Sequence, residues 1–205
     1  GLLLTTGVSS AADVYLQAQG FVKSLPGGAT VPMWGFASCT DGTFTTCDLP
    51  ADTDAPGPRI TLATTDTLTI HLKNTLLTPV SIVIPGQAGG GDPEMVTDAR
   101  GRQRVRSFTH ETAPGATGDY TWSSLRPGTY LYQSGTYPSI QVPMGLYGAL
   151  VVGPATLTTG SCATGQPAYD NLNSCHDADA LLLFSEIDAV QNAAVEAAAG
   201  DVAAY

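Results

Sequence analysis

Apolar and polar residues alternate along most of this chain at the period of a β-strand, not of a helix. Val14–Phe21 (VYLQAQGF) exchanges apolar and polar side chains residue by residue. Ile60–Leu62 leads through Thr64-Thr65-Asp66 into Leu68–Leu72, and Val80–Ile84 is an apolar run, broken only by Ser81, of the kind a buried strand shows. Val105–Phe108, Gly118–Trp122, Gly128–Tyr132 and Leu146–Val152 follow, with turn signals at Pro56-Gly57-Pro58, Pro114-Gly115 and Pro127-Gly128. Many short strands at this spacing predict a sandwich or a barrel. Gly86–Arg104 and Gly153–Ala178 read as loops. After them Leu181–Phe184 reads as a strongly apolar strand. Asp188–Ala199 is the one good helical segment, rich in alanine and with Gly200 placed to end it.

Composition sharpens this picture. Of 205 residues 43% are hydrophobic, enough for a core, while only 13% are charged; 23 glycines and 14 prolines supply dense punctuation. A coiled coil, a helical bundle and a charged disordered chain are all at odds with these values. Eighteen acidic residues face eight basic ones, a formal charge of −10. Nucleic-acid binding needs a basic surface, so the expectation is no nucleic-acid partner. No apolar run is long enough to span a membrane.

The four cysteines fall into two close pairs, Cys39 with Cys47 and Cys162 with Cys175. An even count in loops reads as two disulfides and an oxidising compartment, so the chain is expected to be secreted, extracellular or periplasmic. The alternative, free thiols or metal ligands, lacks a C-x-x-C spacing. Of the three histidines only His176 adjoins a cysteine.

A series of motifs then carries a resemblance. It runs from Pro56-Gly57-Pro58-Arg59-Ile60 through Asp66–Asn74 (DTLTIHLKN) and Ser81–Gln87 (SIVIPGQ). It continues with Tyr120-Thr121-Trp122, Pro127–Gly135 (PGTYLYQSG) and Met144–Val152 (MGLYGALVV). In this order the motifs resemble the first cupredoxin domain of multicopper oxidases of the laccase type, over roughly residues 14–152. The resemblance implies an all-β, cupredoxin-like Greek-key β-sandwich, here with a short C-terminal helix. In that family two H-x-H motifs supply four imidazoles to the trinuclear copper centre that reduces O₂. Side chains alternate along a strand, so each motif sets two rings on one side. The positions that match are Val83, Pro85, Gln133 and Gly135. All four ligands are replaced. The expectation is therefore no metal and no cofactor in this chain, with copper only if further domains exist.

Other chemistry is sparse. His110-Glu111 with Asp98 or Asp119 is a candidate metal site, set against a plain strand-end histidine; His71 and His176 read as structural. Arg102, Arg104 and Arg106 alternate, so on a strand they share a face and form a positive stripe in an acidic protein. That stripe is a candidate docking site for an acidic surface, or else pairs with Asp92, Glu94 and Asp98. Tyr130, Tyr132, Tyr137, Tyr147 and Trp122 are a candidate sugar-binding rim, or else packing. No Ser/His/Asp triad, phosphate loop or dinucleotide fingerprint is present.

The expected organisation is a cupredoxin-like sandwich over residues 1–153, a disulfide-pinned loop over 154–179, and a strand and helix over 180–205 that link to another domain or subunit. Leu181, Leu182, Leu183 and Phe184 are too apolar to be left in water, so they are candidate partner-binding residues. The partner would be another domain or a copy of the same chain, giving a homopolymer; Leu2–Leu4 is a weaker candidate for such exchange. Three functions follow: a non-catalytic, copper-free structural or assembly module; a copper-free domain of a larger multicopper oxidase that oxidises phenols or metal ions with O₂; or a sandwich that binds carbohydrate or a small ligand.

Overall fold

A computed structural model describes residues 10–49, 56–154, 162, 165–169 and 172–201. Leu2–Leu4 and much of the loop after residue 154 lie outside the described residues. The strands are β1 Ala11–Ser24, β2 Thr30–Cys39, β3 Cys47–Asp48, β4 Gly57–Ala63, β5 Thr67–Asn74, β6 Glu94–Thr97 and β7 Gln103–Ser107. They continue with β8 Thr117–Trp122, β9 Gly128–Gln133, β10 Tyr147–Gly153, β11 Gln166–Pro167 and β12 Cys175–His176; the helices are α1 Pro138–Met144 and α2 Ala189–Ala197.

Two sheets pack face to face. The larger has the order β3-β2-β1-β5-β8, the smaller β4-β10-β9. β1 runs parallel to β5 and β4 parallel to β10, so the chain crosses between sheets instead of folding as a simple meander. The periodicity is clean in β5, where Leu68, Ile70 and Leu72 are fully buried and the residues between them face outward. Trp34, Phe36, Tyr120, Trp122 and Tyr132 fill the space between the layers. The fold class is thus the all-β sandwich with a short C-terminal helix that the motifs implied.

One tyrosine shows why motifs far apart in sequence go together. The ring of Tyr132 lies over two glycines, Gly57 and Gly148, which are register partners in neighbouring strands. A Cβ at Gly57 would stand 2.6 Å from the Tyr132 hydroxyl, and one at Gly148 only 2.3 Å from it. Burial holds that phenol neutral, and its hydroxyl donates to the Pro58 carbonyl at 2.7 Å.

Several expectations need correction. β2 was not foreseen. Val80–Ile84 is buried but is not a strand: it is tied by isolated bridges from Val80 to Thr112 and from Val83 to Gln133. Pro79 and Pro85 bound it, and Thr109 Oγ1 donates to the Ile82 carbonyl at 2.9 Å. The stretch expected as a Gly86–Arg104 loop contains β6 and the start of β7. α1 was missed because its seven residues include Pro138 and Pro143.

Leu181–Phe184 is extended yet belongs to no strand. Leu181 and Leu183 turn inward, lining a recess with Pro58 and Ala149, and Tyr147 donates to Ser185 Oγ at 2.6 Å. Beyond it Asp188 caps α2 by accepting from the backbone N–H groups of Val190 and Gln191. α2 is fastened to its own sandwich. Val195 is 8% exposed, Trp34 Nε1 donates to Glu196 Oε2 at 2.7 Å, and Asn192 Nδ2 donates to the Pro32 carbonyl.

Candidate functional site

The four positions that match the copper ligands of the resemblance come together on one face. Val83 and Gln133 are antiparallel partners, and each backbone N–H donates to the other's carbonyl, at 2.8 and 2.9 Å. That register sets Ser81 opposite Gly135 and Pro85 opposite Leu131. The intervening residues Ile82, Ile84 and Tyr132 point into the core and are fully buried.

The buried end of this face is closed by hydroxyls. Ser81 Oγ lies 2.8 Å from Ser107 Oγ; Thr136 Oγ1 lies 3.0 Å from Ser81 Oγ and 3.1 Å from Ser107 Oγ. The Gly135 N–H donates to Ser81 Oγ at 3.1 Å, and all three hydroxyl residues are fully buried. A Cβ at Gly135 would already meet Ser81 Oγ at 3.0 Å and Phe108 Cβ at 3.4 Å, so an imidazole there requires the network to move. Sequence inspection missed this triangle, because serines and threonines far apart in the chain carry no spacing signal.

The multicopper resemblance implies copper, and these residues do not fit it. Valine, proline and glycine side chains offer no donor atom. The backbone groups of Val83 and Gln133 are committed to each other, and the nearest hydroxyl belongs to the satisfied triangle. No group of three or more His, Cys, Asp or Glu residues suited to a metal occurs among the described residues.

The candidate His110 site is not assembled. The His110 ring stacks on Tyr120 at 4.3 Å, Asp98 turns to the arginines, and Asp119 turns to His71. His71 lies between two carboxylates on the outer face of the larger sheet. Its Nδ1 is 2.7 Å from Asp119 and its Nε2 is 3.0 Å from Asp13, while Tyr15 stacks on the ring at 4.7 Å. Partial burial disfavours the charged ring, but hydrogen bonds to Asp13 and Asp119 outweigh it, and the net shift is upward. His176 sits in β12 beside the disulfide.

Cys39 bonds to Cys47 and Cys162 to Cys175, as the spacing indicated. Of the aromatic rim, Trp122 and Tyr132 are fully buried and Tyr147 is 7% exposed, so they pack the sandwich and offer no stacking face. A groove of about 800 Å³ lies elsewhere, over the smaller sheet, with Arg59 and Tyr169 among its lining residues.

Arg104 and Arg106 lie in β7 and Arg102 just before it. Asp98 anchors two of them, reaching Arg102 at 2.9 Å and Arg104 at 3.0 Å, and Arg106 pairs with Glu111. Backbone N–H donation from Arg102, with Arg104 beside it, brings the Asp98 carboxyl down to about 2. On the same hairpin Met95, Val105 and Phe108 are 46%, 48% and 56% exposed. Leu182 and Phe184 are 75% and 86% exposed. The structure does not bring the arginines and this segment together within one chain; they lie on different elements.

Comparison with known proteins agrees with the architecture. A search of curated protein sequences finds no match. Among solved structures, a multi-copper oxidase from Pseudomonas thermotolerans is 21% identical with a TM-score of 0.55, covering 74% of this chain and 32% of that one. The copper nitrite reductase from Nitrosomonas europaea is 20% identical with a TM-score of 0.51, covering 80% of this chain and 51% of that one. A laccase from Botrytis aclada is 21% identical with a TM-score of 0.51, covering 81% and 28%. At such identities the likeness shows the fold alone, and the chain spans about a third to a half of the length of these proteins. The sequence profile described as multicopper oxidase matches residues 49–156, from the end of β3 through β10, and so takes in both replaced ligand motifs. More than half of the chain lies within that match, and the chain belongs to the multicopper oxidase family.

Proposed function

We propose that this chain is a copper-free cupredoxin-like module that serves structure and assembly, in an extracellular or periplasmic protein. One observation carries the reading. At the ligand positions Val83 and Gln133 are backbone partners, and Gly135 is closed in by the Ser81–Ser107–Thr136 hydroxyls. The site has lost its imidazoles and keeps only the amide of Gln133, a poor copper ligand, while a self-satisfied polar network occupies the ground beneath it. Both disulfides support the oxidising compartment.

The test is metal analysis of the purified chain after incubation with Cu(I) and Cu(II) and desalting, with visible absorption and oxidase activity on a phenol read on the same sample. Substoichiometric copper with no activity is expected. One copper or more held per chain, or turnover of the phenol, overturns the reading.

A second reading is supported by the short coverage of the solved relatives: the chain would be one copper-free domain of a larger oxidase. The gene beyond Tyr205 discriminates, since an H-C-H motif followed by a methionine downstream would favour the oxidase.

A further inference from the structure

The chain's charge is divided between two places. Four of its eight basic residues are Arg100, Arg102, Arg104 and Arg106, and no lysine or arginine follows Arg126. The arginines sit on the β6–β7 hairpin, where Asp98 pairs with Arg102 and Arg104, and Glu111 pairs with Arg106, so four guanidinium groups still outnumber the acids that meet them. This hairpin is a separate two-stranded ribbon, a unit that is marginal by itself in water. Met95 and Val105 are cross-strand partners, 46% and 48% exposed, and Phe108 at its base is 56% exposed. The ribbon thus shows water an apolar strip set among guanidinium groups.

The opposite pattern lies at residues 177–190. Leu181 and Leu183 dock on the smaller sheet, so alternation turns Leu182 and Phe184 outward, 75% and 86% exposed, with Val190 following at 81%. Asp177, Asp179, Glu186 and Asp188 flank them, all exposed, and only Asp179 has a basic partner, Arg59. No backbone–backbone hydrogen bond joins residues 181–187 to another described residue.

We propose that these two surfaces are mates, and that the occupant of each is a second copy of this chain. The apolar ridge Leu182–Phe184–Val190 of one copy seats on the Met95–Val105–Phe108 strip of the next, with the arginine-bearing hairpin against the acidic flanks. The inference rests on the assembly reading and gives it a partner. Charge complementarity selects the copy: in a chain of net charge −10 half of the basic residues cluster on the hairpin, and the ridge is an apolar surface whose surround is acidic apart from Arg59, which pairs with Asp179. The contact proposed is heterologous, head to tail, so the two copies at the ends of a growing row each keep one patch unused.

Sedimentation velocity and light scattering on the purified chain, over a range of concentrations and salt, test this. Concentration-dependent association is expected, weakened about tenfold or more from low to molar salt. Leu182→Asp/Phe184→Asp removes the ridge and Met95→Glu/Val105→Glu removes the strip; these side chains are exposed, and circular dichroism checks each fold. Each variant alone is expected to be monomeric. Mixed, they are expected to form a 1:1 complex and nothing larger, because one good patch survives on each.

A chain that stays monomeric throughout, oligomers that survive both double substitutions, or a mixture that stays monomeric overturns the proposal. Copper measured on the same samples answers separately for the copper-free reading. A copper-free monomer sinks only the docking, whereas a copper-loaded chain that still assembles head to tail sinks only that reading.

Discussion

Replacing Gly148 with alanine places a methyl group where the ring of Tyr132 already lies. The new Cβ would stand 2.3 Å from both Cζ and the hydroxyl oxygen, and 2.6 Å from Cε1. Carbon atoms in contact settle at about 3.5–4.0 Å, so the ring must retreat by roughly 1.2 Å or more. It has nowhere to go: Tyr132 is fully buried, its hydroxyl donates to the Pro58 carbonyl at 2.7 Å, and Phe36 packs against it with ring centres 5.8 Å apart. Overpacking costs about 1–3 kcal/mol, and a buried carbonyl stripped of its donor about 1–3 more. The expected loss is therefore about 2–6 kcal/mol, a large part of the 5–15 typical of a domain. Gly148 does not adopt a positive φ, so backbone entropy alone would make alanine stabilising by about 0.4–1 kcal/mol, and the sign itself tests the argument. Urea unfolding followed by tryptophan fluorescence measures the effect. Gly20→Ala, whose Cβ would meet nothing closer than 3.9 Å, is the control expected near neutrality. In Gly148→Ala/Tyr132→Leu the ring is gone, and the pair should cost less than the sum of the singles. A loss below about 1 kcal/mol in Gly148→Ala, or strict additivity, would refute the reasoning.

Three further outcomes are expected. The pKa of His71 is raised above its ordinary 6.5, so its stabilisation is full below that value and fades as pH rises through the folded value. Melting temperature should fall across that window, and His71→Gln should flatten the fall. Asp98 works in the other direction: its carboxyl is held at about 2, so its contribution is present above the ordinary 3.8 and is lost only as pH falls through about 2. Carboxyl NMR should show its midpoint at about 2, with Arg102→Ala/Arg104→Ala moving it back up. Cys39→Ser/Cys47→Ser opens a loop of sequence separation 8, and loop-closure entropy sets the expected cost at about 2–3 kcal/mol, measured by chemical unfolding.

What could be read in the sequence was whatever repeats at a short period. β5 and β10, the cysteine pairs and α2 with its Gly200 stop all carry local signals, and they lie where those signals put them. β2 was hidden because Pro32 and Gly35 interrupt a segment whose two faces are both covered, so it shows no alternation. β3 reaches only Ser38 and Cys39, which leaves Pro32 on an edge that tolerates it. Val80–Ile84 declared its burial but not its conformation, since its backbone is satisfied by single bridges and by side chains such as Thr109. The site divides the same way. The lost ligands could be named from motif spacing, whereas Ser81, Ser107 and Thr136 meet only after the chain has folded.

Period-two alternation explains how a family fold outlives its chemistry. Along 81–85 and 131–135 one set of side chains, Ile82, Ile84 and Tyr132, holds the core, and the other set is where the family motifs place copper ligands. Erasing the second set leaves the first untouched, so both sheets, the glycine seat beneath Tyr132 and the family match persist. The erased positions are not equivalent afterwards. Pro85 is exposed, and Val83 and Gln133 are half-buried, so larger side chains there have solvent to reach into. Gly135 is buried against Ser81 and Phe108, with its N–H already given to the hydroxyl triangle. Histidine at that one position would have to displace Ser81 Oγ, which holds contacts to Ser107 and Thr136, before it could offer a nitrogen to a metal. Gly135 is therefore the position of the four where a ligand side chain has least room, and the hairpin that carries Phe108 and the arginines is the element built against it.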